Sequence, residues 1–130
     1  TGIAIGDYTI DHHHKKNPYA PALDFNKIRV PSYNVPRGAL IPKEHPALIL
    51  AEKRISVSNI VNGATRLQPV VLGIGQAAGV LASVAVKEKT KLGDVSIREV
   101  QSALLLQNAY IMPFLDMNPA DQNFMAMQKI

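Results

Sequence analysis

The sequence predicts a mixed α/β fold, in which short strands come first and helices follow. Six of the nine prolines lie within the first 46 residues, so that part cannot be mainly helical. Residues 47–51 form a compact apolar run that is typical of a buried strand. Helix signals follow over residues 69–88 and 97–108. An order of strand, polar loop and helix is typical of α/β folds, which present ligands where strands end.

Three parts are predicted along the chain. Residues 1–46 form a proline-rich segment, in which short extended pieces fit between the prolines at 28–30, 32–35 and 39–41. Residues 47–110 form a strand–loop–helix–helix unit, and 54–57 is a candidate continuation or partner of its strand. Residues 111–130 form an irregular tail, because Pro113 and Pro119 interrupt it.

The composition indicates one globular domain and excludes several classes of chemistry. Hydrophobic residues make up 47% of the chain and charged residues 18%. With no cysteine, the chain has no disulfide, zinc–thiolate site or iron–sulfur cluster of its own. The net charge of +4 comes without interleaved aromatic residues, so nucleic-acid binding is not predicted. The apolar run 70–86 is shorter than the roughly 20 residues of a membrane span, which favours a buried core helix.

A polar loop over residues 62–68 is predicted to lead into a glycine-rich helix that opens at Pro69. Proline fits the first helical turn, where a missing N–H costs nothing. Each of Gly73, Gly75 and Gly79 costs about 1 kcal/mol of helix propensity, so we expect another element to pack against that backbone. The start of a helix carries unpaired N–H groups and partial positive charge. We therefore expect it to face an electron-rich or anionic ligand.

A second helix is predicted over residues 97–108. The sequence from Ser96 to Glu99 fits a capping box, in which the serine oxygen accepts the third amide and the glutamate reaches back. Asn108 is the predicted stop. The residues expected to be buried follow helical spacing and are Val100, Ala103, Leu104 and Leu106.

Several segments stand in one consistent order along the chain. They are Asn-Val-Pro-Arg-Gly-Ala-Leu-Ile-Pro-Lys at 34–43, Ala-Leu-Ile-Leu-Ala at 47–51, Ile-Ser-Val-Ser at 55–58, Gly-Ala-Thr-Arg-Leu-Gln-Pro at 63–69 and Gly-Gln-Ala-Ala-Gly at 75–79. With Gly-Asp-Tyr at 6–8 and Asp-His-His at 11–13, they cover roughly residues 2–86. This series resembles the C-terminal segment of the FAD-dependent oxidoreductase family, which is related in fold to fumarate reductases and glutathione reductase. Some members, especially bacterial ones, carry a xanthan lyase label.

The resemblance implies that 47–110 belongs to an FAD-binding domain and that 1–46 lies on the substrate side. It implies FAD as the cofactor, with the isoalloxazine ring near the loop and the start of the helix. The cofactor-binding residues implied are Glu52, Ser56, Asn62, Gly63, Thr65, Arg66, Gln68 and Pro69. Where the family's strand usually ends in Ala-Gly, this chain has Ala51 and then Glu52. The chain also lacks a complete G-x-G-x-x-G, so the Rossmann portion that grips the ADP half is an expected partner.

The candidate catalytic and substrate-side residues each have more than one candidate role. Arg66 would stabilise the negative charge of reduced flavin or bind an anionic substrate, and otherwise it braces the loop. His13 is a candidate acid or base near the flavin, and His12 and Arg37 are candidate substrate-side residues. His12 and His14 could converge on a metal in an extended segment, but a solvated loop is favoured, and no metal site is predicted.

The leading functional hypothesis is the flavin-facing portion of an FAD-dependent oxidoreductase, active only in the complete protein. One alternative is a catalytically inactive structural fragment that associates with itself through an exposed helix face. Another is a carbohydrate-active lyase, although the low aromatic content of 5% disfavours a sugar-binding platform. The small-molecule substrate is not predicted.

Overall fold

The computed structural model describes residues 1–11, 19 and 24–129. Two strands, β1 (Gly2–Gly6) and β2 (Tyr33–Pro36), form an antiparallel pair. In the described part of the chain four α-helices follow, and the 3₁₀ turns all precede the first of them. The helices are α1 (Asn59–Thr65), α2 (Gln68–Glu88), α3 (Ile97–Leu106) and α4 (Phe124–Met127). The predicted mixed α/β class is confirmed.

The long helix α2 is the centre of the fold. It packs against β1 on one side and against α3 on another, and its inner residues Ile74, Ala77 and Leu81 are fully buried. Helix α3 is tied to the sheet because Gln101 Nε2 donates to the Gly2 carbonyl at 2.9 Å. Burial of these aliphatic side chains is the main stabilising contribution to the domain.

The predicted strand over residues 47–51 is wrong. This run is irregular, and Leu48 is half exposed. A long-range backbone bond, from Leu50 N to Leu40 O at 2.7 Å, ties it to the rest of the fold, and no described strand pairs with it. The apolar pattern correctly marked residues that reach the core, since Ile49 and Ala51 pack against it, but a strand also needs a neighbouring strand.

Two further predicted extended segments differ from the structure. Residues 54–57 are not a strand, because the 3₁₀ turn Glu52–Arg54 occupies their start and irregular backbone follows. The extended piece expected at 39–41 is replaced by the 3₁₀ turn Arg37–Leu40. The piece expected at 32–35 is confirmed as the greater part of β2, whereas β1 was not predicted.

The predicted polar loop before the glycine-rich helix is mostly helical. Residues 59–65 form α1, whose N-cap Ser58 accepts the Val61 amide at 3.3 Å. Only Arg66 and Leu67 separate α1 from α2. The position of α2 confirms the prediction to within one residue.

The glycines of α2 do not serve the close packing that was expected. A Cβ on Gly73 would meet the Ala4 methyl at 3.5 Å, an ordinary contact, and a Cβ on Gly75 or Gly79 would meet no described atom within 4 Å. Both lie on the outer face of α2, which we define as Leu72, Gly75, Gly79, Ser83 and Val86. This face is exposed, with Leu72 at 74% and Val86 at 79%. The expectation of a wholly buried helix therefore holds only for the inner face.

Helix α3 confirms the second predicted helix but corrects its details. Ser96 is the N-cap residue, yet its side chain makes no capping hydrogen bond. Leu105 is buried in place of Leu106, which is 85% exposed. Asn108 has φ 58° just after the helix, which agrees with the predicted stop.

The C-terminal tail is irregular apart from the single turn α4, and it is anchored to the domain. Gln128 is buried, and its Oε1 accepts the amides of Ile111 and Met112 at 2.7 and 3.1 Å. Phe124 is also buried, with Tyr110 and Phe114 edge-on to its ring at 5.3 and 6.2 Å. The tail therefore completes the core rather than trailing from it.

In the described part of the chain, α2 is the one helix long and apolar enough to cross a membrane. Its most apolar window has a mean hydropathy of 1.8, and 39% of that window is buried. A core helix passes the same test of length and composition, and α2 packs on both β1 and α3.

Candidate functional site

The junction between α1 and α2 is built by two residues of different backbone conformation. Arg66 ends α1 with φ −78° and ψ −2°, and Leu67 turns to the extended region with φ −72° and ψ 144°. The first backbone bond of α2 runs from Val71 N to Leu67 O at 2.9 Å, so the Gln68 and Val70 amides precede the helical ladder. No side chain caps this helix start. Its positive end is therefore available to a group outside the helix.

Arg66 is held by Asp11, which comes from the segment after β1. Arg66 Nη2 donates to the Asp11 carbonyl at 2.8 Å and lies 3.3 Å from Asp11 Oδ2. Asp11 is itself fixed, because its amide donates to the Gly63 carbonyl at 3.3 Å. These contacts place the guanidinium beside the start of α2 and restrict its rotation.

One donor of Arg66 has no acceptor. Its Nε is buried, and the residues that the structure describes supply no hydrogen-bond partner for it. A buried donor left unpaired costs about 1–3 kcal/mol. Such an orphan atom beside an uncapped helix start is the feature expected where a ligand oxygen or nitrogen completes the site.

A small polar cavity of about 250 Å³ opens at the junction. Its charged lining residues are Lys53, Arg66 and Asp11, so two cations face one anion, and Gln68 adds an amide. The cavity is therefore suited to an electron-rich group. Lys53 also joins the 3₁₀ turn to α1, because its carbonyl accepts Asn62 Nδ2 at 3.1 Å.

A larger cavity of about 550 Å³ lies on the other side of Leu67, which lines both cavities. Its walls are β1 and the segment 7–8, the first turns of α2, and residues 108–110. The lining is mainly apolar, and its polar residues are Asp7, Tyr8, Gln76, Asn108 and Tyr110. A cleft of this size with a few polar groups is typical of a small-molecule or cofactor site.

Tyr33 packs against Gly6, which lines this cleft. A Cβ on Gly6 would lie 2.5 Å from the Tyr33 hydroxyl, so only glycine admits the ring there. Burial, with a smaller contribution from the charge of Asp7, raises the pKa of the Tyr33 hydroxyl above 10.0. Among the described residues that buried hydroxyl has no hydrogen-bond partner.

Several of the predicted cofactor-binding residues lie at the junction. Some of them are already engaged in hydrogen bonds within the protein. Gln68 lines the polar cavity and Pro69 lines the larger cleft. The Thr65 hydroxyl donates to the Val61 carbonyl at 3.3 Å within α1, and the residue is 3% exposed. Asn62 and Gly63 hold the 3₁₀ turn and Asp11 by the bonds described above.

Glu52 and Ser56 lie on the segment that passes beneath α1. Glu52 is exposed and has φ 59°, a left-handed conformation that favours glycine. It occupies the position where the resemblance places a glycine, so the backbone keeps the glycine-like conformation without the glycine. Ser56 is exposed, and its amide donates to the Ala39 carbonyl at 2.7 Å.

The remaining predicted residues lie elsewhere. The Arg37 guanidinium donates to the carbonyls of Gly93, at 3.1 Å, and Val95, in the loop after α2. His12, His13 and His14 lie outside the described residues, and so does any metal site built on them. Among the described residues, no group of three histidine or acidic side chains could hold a metal ion.

Asp11 and Lys53 are site residues that the sequence did not indicate in these roles. Asp11 is separated from Arg66 by 55 residues, and Lys53 lies 13 positions before Arg66. Nothing in the local pattern pairs them. The available sequence signal is that Asp11 is an acidic residue in the Asp-His-His segment on which the resemblance partly rests.

These features make the junction a candidate ligand-binding site, with an uncapped helix start and an arginine held by Asp11. Comparison with protein-family models matches residues 1–104 to FAD dependent oxidoreductase, and the chain belongs to that family. The predicted family is therefore confirmed, and FAD dependence is the property that it suggests. No curated protein and no solved structure matches the chain.

Proposed function

We propose that the chain forms the flavin-facing part of an FAD-dependent oxidoreductase, with the α1–α2 junction at the pyrimidine end of the ring. The observation that carries this proposal is the buried Arg66 Nε beside the uncapped start of α2, for which the described residues supply no hydrogen-bond partner. Family membership over residues 1–104 supports FAD as the group concerned. The residues present fit that end of the flavin, because its carbonyl oxygens and ring nitrogens accept hydrogen bonds.

FAD would supply the reversible uptake of a hydride or of electrons. The chain's own contribution is binding, orientation and charge. Arg66 and the Gln68 and Val70 amides would hold the electron-rich edge of the ring, and the larger cleft would take its apolar body. A helix start stabilises a neighbouring negative charge by roughly 0.3–2 kcal/mol. Since about 1.4 kcal/mol corresponds to 30 mV in a two-electron couple, this contribution amounts to tens of millivolts at most.

Asp11 would have a positioning role in this arrangement. Its carbonyl and carboxylate both contact Nη2 of the guanidinium, so Nε takes no part in the contacts with Asp11 that are described. The carboxylate also offsets one of the two positive charges at the polar cavity. Arg66 and Lys53 would then stabilise the anionic reduced ring less than two cations without a neighbouring carboxylate would.

The outer face of α2 supports the second part of the proposal, that a nucleotide-binding Rossmann portion packs on this helix. Its two glycines let another backbone approach, and Leu72 and Val86 offer exposed apolar surface. The 130 residues carry no G-x-G-x-x-G after a strand, so the ADP half of FAD needs a different segment. Redox turnover is proposed only for the complete protein.

The same face also supports the alternative of an inactive chain that associates with itself. Light scattering separates the two, since self-association through this face would give a dimer that Gly79→Trp disrupts. The lyase alternative remains a prediction from the label of some relatives, and no contact described above adds to it.

Flavin binding by the chain tests the proposal. Lumiflavin, the isoalloxazine ring without the ribityl phosphate, is titrated into the wild-type protein and into Arg66→Ala, with loss of flavin fluorescence as the measurement. Arg98→Ala is the matched control, because Arg98 is exposed on α3. We expect saturable binding that Arg66→Ala weakens by about tenfold, in keeping with the loss of a hydrogen bond from a charged donor. Equal binding by the two arginine variants would contradict the role of Arg66.

A further inference from the structure

A third cavity lies at the opposite end of α2 from the junction. It has a volume of about 770 Å³ and lies between the end of α2 and two flanking segments, the loop after the helix and residues 41–49. One wall carries Ile41, Pro46 and Ile49, and the other carries Ala82, Val86 and Leu92. Its size falls within the range of small-molecule sites, and its walls are apolar.

Both walls of this groove are held by long-range contacts. The Arg37 guanidinium donates to the carbonyls of Gly93 and Val95, which fixes the loop after α2. The opposite segment is closed at its base by the bond from Leu50 N to Leu40 O at 2.7 Å. The walls of the groove are therefore held by contacts within the chain itself, which lowers the ordering cost of binding.

The polar lining of the groove is mainly cationic. Lys89 and Lys91 are exposed on the loop that borders it, and Asp94 is the one acidic lining residue. Lys89 has φ 53° as the C-cap of α2, so its position on this border is set by the helix end. Two ammonium groups against one carboxylate leave a net positive charge beside an apolar groove.

We propose that this groove binds an anionic amphiphile, specifically a straight-chain carboxylate, with its chain along the apolar walls and its carboxylate at Lys89 and Lys91. The apolar chain supplies most of the affinity, because burial of apolar surface is favourable. The two lysines decide the sign of the head group, since exposed ion pairs contribute little individually. This site lies at the other end of α2 from the junction and shares only Val86 with the outer face of the helix.

Titration of decanoate below its micelle concentration, followed by the NMR shifts of the Leu92 and Gly93 amides, tests the site. Ala82→Leu places added volume inside the groove, and Ser83→Leu places the same volume on the outer face as the matched control. We expect Ala82→Leu to weaken decanoate binding by about tenfold or more, as overpacking by 1–3 kcal/mol implies. Ser83→Leu should leave it unchanged. Absent saturation, or equal binding by the two variants, would overturn the site.

A separate comparison tests whether the lysines select an anionic head group. The double variant Lys89→Asn and Lys91→Gln keeps a residue that tolerates the left-handed conformation at 89. We expect it to weaken decanoate binding by about threefold to tenfold, with Lys27→Gln as the exposed control. Wild-type protein should bind decanoate more tightly than decyltrimethylammonium. Equal affinity for the two head groups, or no effect of the double variant, would overturn the assignment of an anionic ligand.

Discussion

The two faces of α2 both carry aliphatic side chains but have opposite surroundings. On the inner face Ile74, Ala77 and Leu81 are fully buried against β1 and α3. On the outer face Leu72 and Val86 remain mostly exposed, and the space over Gly75 and Gly79 is open. The fold of this chain therefore accounts for one face only. The difference shows that apolar residues in a helix sequence do not prove that the helix is buried on every side. The exposed outer face is the surface where the proposed Rossmann portion would pack.

The largest expected effect on stability comes from a substitution on the inner face. Ile74→Ala should lower the free energy of unfolding by about 2–5 kcal/mol, because it leaves a cavity in a packed core. Leu72→Ala, two residues earlier on the outer face, should change it by no more than about 0.5 kcal/mol. Urea unfolding followed by circular dichroism measures both. Similar losses for the two variants would show that the outer face is covered in the isolated chain.

The glycines of the outer face provide the next test. Gly75→Ala and Gly79→Ala should each raise the free energy of unfolding by up to about 1 kcal/mol, since alanine favours the helix and each Cβ would have open space. The same urea titration gives the change. A destabilised Gly79→Ala would mean that another part of the chain already lies against this backbone.

Glu52 offers the reverse comparison, a non-glycine residue where glycine is favoured. At φ 59°, Glu52→Gly should relieve about 1–2 kcal/mol of left-handed strain. The greater freedom of glycine in the unfolded chain offsets about 0.5–1 kcal/mol of that gain. A net stabilisation of roughly 0.5–1 kcal/mol is therefore expected in thermal unfolding. Glu44→Gly, at an exposed position, is the control.

The smallest expected effect concerns the contact between the end of α2 and the start of α3. A hydrogen bond between the side chains of Glu88 and Glu99, aided by their mutual repulsion as anions, raises the pKa of Glu88 above 4.5. The folded state therefore binds this proton more tightly than the unfolded state. The contribution is fully present below about pH 4.5 and is lost as the pH rises through the folded pKa.

Glu88→Gln should flatten this small part of the pH dependence of the free energy of unfolding. Thermal unfolding of wild type and variant between acidic and neutral pH makes the comparison. An identical pH dependence in the two proteins would show that the carboxyl pair does not form in solution.

Sequence reasoning located α2 and α3 because local signals define helices. Pro69 marks the start of α2, and Asn108 lies just past the end of α3. Sequence reasoning did not find the pairing of the sheet, because strand pairing is non-local and joins Gly2 to Pro36. It also predicted a strand at 47–51, which has strand-like composition but no described partner strand. Helix α1 was missed because an Asn-Gly pair at 62–63 looks like a turn, although Ser58 provides an N-cap signal.

The candidate site shows the same division. Arg66, Gln68 and Pro69 could be predicted because they stand together at a helix start. Asp11 could not be assigned as the partner of Arg66, since the contact depends on how the segment after β1 crosses α1. Arg37 was expected on the substrate side, and only the structure shows its bonds to the loop after α2.

The most direct test of the central claim is to observe the donors at the α1–α2 junction while flavin binds. The Arg66 Nε–H and the Val70 amide can be followed by NMR during a lumiflavin titration, with the Arg37 Nε–H as an internal reference. The account predicts saturable shifts of the Arg66 and Val70 signals that share one binding constant, while the Arg37 signal stays in place. Binding that leaves the Arg66 and Val70 signals unmoved would contradict it.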